Sequence, residues 1–127
     1  MNVANPEFHI ALEAFLQRLN DDTQNGPGVY GRDRFFASID GRQYHRIYSQ
    51  RDGAAHRSAR YFVRIEDGTI FASASWRAPN FKRSYGTLDT AEQFDWSGFN
   101  GVAKPDSIYE MVPTRGGYFT AVLKNVP

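Results

Sequence analysis

Between Arg60 and Trp76 the side chains change character at almost every residue, and a glycine marks the point where the chain turns back. Tyr61, Val63 and Ile65 alternate with Phe62, Arg64 and Glu66, the period-2 pattern of a half-buried strand. Glu66-Asp67-Gly68 is a tight-turn signal, because glycine reaches the positive φ that such turns need. Ile70, Ala72, Ala74 and Trp76 repeat the alternation on the way back, which places Trp76 in the core. After Ala78-Pro79 the spacing predicts a loop in which Phe81, Lys82, Arg83 and Tyr85 crowd rings and cations together, with Arg77, Lys82 and Arg83 exposed.

The flanking segments extend this frame. Asn5-Pro6-Glu7 is a helix start: asparagine caps, proline is tolerated in the first turn, and glutamate suits the positive end of the dipole. Phe8, Ala11, Leu12, Phe15, Leu16 and Leu19 keep helical spacing, and the helix is predicted to end at Asn20 to Asp22, before the Gly26-Pro27-Gly28 break. A further hairpin follows: Arg34 to Ile39 places Phe35, Ala37 and Ile39 on one face, Asp40-Gly41 turns, and Gln43 to Ser49 returns. On that return strand Tyr44, Arg46 and Tyr48 oppose His45 and Ile47. Later, Asp89 to Gln93 suits one helical turn, with Phe94 and Trp96 as anchors and a loop at Ser97 to Gly101. Ser107 to Pro113 and Tyr118 to Lys124 read as two closing strands; Pro105 and Pro113 bracket the first and limit pairing across an edge, so monomer and homodimer both stay open. The order points to one α+β domain spanning 1–127: an N-terminal helix packed on a twisted antiparallel sheet of four to six strands.

Composition narrows the chemistry. With no cysteine there is no disulfide, thiol nucleophile or Cys-ligated metal. His9, His45 and His56 lack metal-ligand spacing, Ser73 and Ser75 lie in a strand pattern and not on a nucleophile elbow, and the proline in Gly26-Pro27-Gly28 spoils a phosphate loop. No catalytic residue, metal site or cofactor is expected. No apolar run approaches the roughly 20 residues of a membrane span, and no signal sequence opens the chain, so the expectation is a cytoplasmic protein without a membrane partner.

The net charge of +1 conceals an uneven distribution. Gly31 to Tyr85 carries eleven Lys/Arg against five acids, whereas the two flanks together carry four bases against nine acids. Cations neutralise phosphates, and exposed rings stack on unpaired bases. The residues expected to do this are Tyr44, Arg46, Tyr48, Arg57, Arg64, Arg77, Lys82, Arg83 and Tyr85. Arg46, Arg77, Lys82 and Arg83 are the principal phosphate contacts, and Tyr44 or Tyr48 the stacking ring. The leading expectation is therefore non-catalytic nucleic-acid binding. A protein-binding factor, such as an inhibitor of a host enzyme or defence component, and a virion-associated protein are the alternatives.

Four segments, Tyr44-His45-Arg46-Ile47, Arg60-Tyr61-Phe62-Val63-Arg64, Asp67-Gly68-Thr69-Ile70-Phe71 and Ser75-Trp76-Arg77-Ala78-Pro79, together resemble a group of small, uncharacterised tailed-bacteriophage proteins. In these a Tyr-x-Arg/Lys-Ile strand precedes a Phe-Val hairpin that ends in Trp-Lys/Arg-Ala-Pro and a basic tail. The resemblance covers residues 43 to 85 and implies an accessory protein made in the host cytoplasm during infection. It transfers no catalytic residue. Asn80-Phe81 departs from the small residues usual after that proline.

Overall fold

A computed structural model describes residues 6–26 and 32–124. Helix α1 (Pro6–Asn25) is followed by β1 (Asp33–Asp40), β2 (Tyr44–Arg51), β3 (Arg57–Arg64), β4 (Thr69–Ser75) and β5 (Ala78–Thr87). These strands form one five-stranded antiparallel meander in sequence order. A 3₁₀ segment (Leu88–Gln93) leads to the two-stranded pair β6 (Phe94–Asp95) and β7 (Val102–Ala103), and then to the hairpin β8 (Tyr109–Pro113) and β9 (Phe119–Leu123). The α+β class and the helix-on-sheet arrangement agree with the sequence pattern. The helix runs past the predicted Asn20–Asp22 end, and Thr23 Oγ1 caps its own turn by donating to the Leu19 carbonyl. The predicted cap Asn5 and the break at Pro27 and Gly28 lie outside the described residues.

The helix lies on one face because its apolar stripe leaves no other option. Phe8, Leu12, Phe15 and Leu19 are buried against Phe35, Ile47, Tyr61, Val63, Ile70 and Ala72 of the sheet. Asn20 fastens the helix to the edge strand: its Oδ1 accepts from the Phe35 amide (2.9 Å), and its Nδ2 donates to the Phe35 carbonyl (3.5 Å). Trp96 completes the core from the C-terminal side. Its ring lies 5.0 Å from Phe15, 5.3 Å from Tyr61 and 5.4 Å from Phe94, and its indole N–H donates to the Ala91 carbonyl. The closeness of this packing is visible at Gly101, where a Cβ would stand 2.5 Å from the Trp96 ring.

Two irregularities set the positions of side chains that alternation would put elsewhere. Between Ile47 and Tyr48 the register with β3 slips, so Tyr61 faces Ile47, Ala59 faces Tyr48, and Arg60 has no partner opposite. Arg60 thereby joins the helix-covered side, donating to Ser49 Oγ and to the carbonyls of Gly98 and Phe99. In β5 the slip is larger. Phe71 pairs with Ser84 and Ala72 with Asn80, which leaves Phe81, Lys82 and Arg83 bulged out of the ladder. The predicted loop after Ala78-Pro79 is thus an edge strand, where the missing proline amide is tolerated.

Candidate functional site

The face of the sheet turned away from α1 is paved with rings. Phe62 and Phe71, paired across β3 and β4, are buried and form its floor. Around them Phe36 stacks on Tyr48 at 5.5 Å, Tyr48 meets Trp76 at 5.6 Å, and Tyr44 lies 6.1 Å from Phe81. Phe81 in turn sits 5.3 Å from Phe71. Phe36 is 43% exposed, Trp76 37% and Phe81 63%, so a row of large rings is presented to solvent. Monomeric surfaces seldom display such a contiguous apolar strip without a use for it.

The cations have separate tasks. Arg46 is 7% exposed and corrects its expected part as a phosphate contact. Its guanidinium lies 4.4 Å from the Trp76 ring and 5.8 Å from that of Phe62. Nε donates to the Trp76 carbonyl (2.6 Å) and Nη1 to Ser38 Oγ (3.0 Å). Arg46 is a prop that holds the indole on the face. Arg64 lies over Phe71 and grips Asp67 with a two-point fork (3.0 and 2.6 Å), so its charge is matched locally. That fork holds the Asp67 carboxyl well below the usual carboxylate range. Arg57 lies over the Tyr48 ring at 5.3 Å and is exposed, as are Arg77 in the β4–β5 turn and Lys82 in the β5 bulge. No described carboxylate pairs with Arg57, Arg77 or Lys82.

Besides that of Arg46, three expectations from the sequence are overturned. Trp76 is not core, because β4 ends at Ser75 and the turn swings the indole onto the open face. Tyr85 is fully buried among Tyr61, Phe94 and Trp96, and burial pushes its phenol up. Arg83 is 8% exposed, on the opposite side of the bulge from Phe81. The structure therefore brings together Tyr44, Tyr48, Arg57, Arg64 and, as a support, Arg46, with Arg77 and Lys82 exposed in the β4–β5 turn and the β5 bulge. Arg83 and Tyr85 lie elsewhere. Phe36 is the ring that alternation could have supplied: it shares the parity of Tyr48's partner positions in the first hairpin.

Among the described residues no three His, Asp or Glu side chains gather as a metal site, and no helix is long and apolar enough to cross a membrane. Residues 9–101 match the model of a family of unknown function, DUF7717. The chain belongs to that family. The matched part takes in most of α1, the whole five-stranded sheet and the Trp96–Gly101 contact, so the ring-paved face lies within the family's own region. It ends before β7 and the β8–β9 hairpin. No curated protein and no solved structure matches the chain.

Proposed function

We propose that the open face of the sheet binds single-stranded nucleic acid without catalysis, in an accessory role of the kind the phage resemblance implies. The observation that carries this reading is the uncovered row Phe36–Tyr48–Trp76, with Tyr44 and Phe81 beside it, accompanied by three cations that lack carboxylate partners among the described residues. Bases stack on exposed rings whatever their identity, and backbone phosphates attract the cations nearby. A sheet is a good platform for this because its rings are held at fixed spacing by backbone hydrogen bonds. In this assignment Phe36, Tyr48, Trp76 and Phe81 stack, Arg57, Arg77 and Lys82 meet phosphates, and Arg46 keeps Trp76 in place.

The test is fluorescence anisotropy with labelled single-stranded oligonucleotides over a range of salt. Three phosphate contacts give a slope of log K against log salt of about −2 for single strands. Trp76 emission should be quenched on binding. Affinity that stays flat with salt, or absence of binding at micromolar protein, would overturn the proposal.

A further inference from the structure

Arg83 is buried without a counter-ion. Its guanidinium lies 4.4 Å from the Tyr118 ring; Nε donates to the Phe119 carbonyl (3.3 Å) and Nη2 to the Tyr85 hydroxyl (3.0 Å). Those bonds use two of the five N–H groups of an arginine, and Nη1 has no hydrogen-bond partner among the described residues. No described carboxylate lies within ion-pairing distance of it. Arg60, the other deeply buried arginine on this side, differs in having Asp33 3.9 Å away and two carbonyls to donate to. Folds normally match a mostly buried guanidinium with an anion, and here the described residues supply none.

What Arg83 does border is a cleft of about 540 Å³ between β5, the 98–102 loop and the β8–β9 hairpin. Its walls are mainly apolar: Phe99, Val102, Met111, Tyr118 and Phe119 line it together with Arg83. That volume falls in the range of small-molecule sites, which combine an apolar lining with a few placed polar groups. We infer that this cleft is a ligand site for a monocarboxylate with a flat apolar body, its carboxylate held by Arg83 and its body against Tyr118, Phe119 and Met111. A single positive group balances one negative charge, whereas a phosphate dianion would leave one charge unmatched in an apolar cleft. The guanidinium fork matches the two oxygens of a carboxylate. The cleft lies on the far side of the β5 bulge from Phe81, so the site is separate from the ring-paved face.

Naphthaleneacetate and its uncharged amide, naphthaleneacetamide, are suitable probes, since they share a shape and differ in the group that Arg83 would read. Calorimetric titration should find the carboxylate at least about tenfold tighter, the step expected for a hydrogen bond to a charged group. NMR shifts should map to Phe99, Tyr118 and Phe119 and leave Phe36 and Trp76 unmoved. Arg83→Gln should erase the preference while retaining amide binding, and Val102→Trp, which fills the cleft and leaves Arg83 intact, should abolish both. Equal affinities, no binding of either probe at millimolar concentration, shifts on the open face, or a preference that survives Arg83→Gln would each overturn the assignment. Should Arg83→Gln fail to fold, the ratio of the two probes on the unaltered protein and the Val102→Trp result decide the matter.

Discussion

The two faces of the sheet are built from the same kinds of residue and behave differently. Toward the helix lie Tyr61, Tyr85, Phe94 and Trp96 with Arg60 and Arg83; away from it lie Phe36, Tyr48, Trp76 and Phe81 with Arg46 and Arg57. Rings on the first face are edge-to-face with several neighbours, and the Trp96 indole N–H donates to the Ala91 carbonyl inside the protein. Rings on the second keep one surface in solvent. Aromatic content alone therefore does not mark a core: a covering element does. The helix and the C-terminal strands supply that cover on one side.

Tryptophan substitution tests this difference most strongly. Trp96→Ala should cost about 3–5 kcal/mol in chemical denaturation, the range for deleting a large buried ring. Trp76→Ala should cost under about 1 kcal/mol and act on ligand binding instead. Equal losses at the two sites would erase the distinction between covered and open faces. Next in size is Gly101→Ala, which drives a methyl into the Trp96 ring and should destabilise by about 1–3 kcal/mol without touching the open face. On the open face, Phe36→Ala, Trp76→Ala and Phe81→Ala should each weaken oligonucleotide binding by about 1–3 kcal/mol in anisotropy titrations while the melting curve barely moves.

Acid gives a subtler contrast. His45, buried under Phe8 on the covered side, has its pKa lowered, first by burial and then by the neighbouring His9. The unfolded chain therefore binds a proton more readily than the fold does. Stability should be complete above the ordinary value of 6.5 and decline as the pH falls below it, a slope that His45→Gln removes. Asp67, beside Arg64 at the rim of the open face, is also lowered, so its contribution is present above its ordinary 3.8 and is lost in stronger acid. Both groups titrate in the same sense but in separate windows, and monitoring unfolding against pH resolves them. The smallest effect is expected at that exposed pair, where Asp67→Asn should change stability at neutral pH by no more than about 1 kcal/mol.

Much of the framework was legible locally. The stripe Phe8–Leu12–Phe15–Leu19 declared the helix, and Asp40-Gly41 and Asp67-Gly68 marked turns in which Gly41 and Gly68 do take positive φ (72° and 73°). Phe94 and Trp96, the anchors that the pattern predicts, are fully buried. Alternation places Tyr44, Arg46 and Tyr48 together on one face, which they share. The misses lie at a strand end, at a bulge and at a long-range contact. Alternation carried Trp76 to the core side because it assumes a straight strand, and β4 stops one residue earlier. Spacing groups Arg83 and Tyr85 with Phe81, but the bulge of residues 81–83 leaves Phe81 on the open face and Arg83 and Tyr85 buried. Arg46 looked like an exposed cation because no local signal reveals that Trp76, thirty residues away, will lie across it.

The sequence by itself determined the elements and their order, since helical and strand periodicities and glycine turns act over a few neighbouring residues. It also determined that one strand face would carry tyrosines and an arginine. Tertiary structure alone decided which rings are covered, which arginines are props and which retain free N–H groups, and where a cleft opens beside Arg83. Those outcomes depend on residues far apart in the chain meeting across bulges, and burial and charge compensation are properties of that meeting.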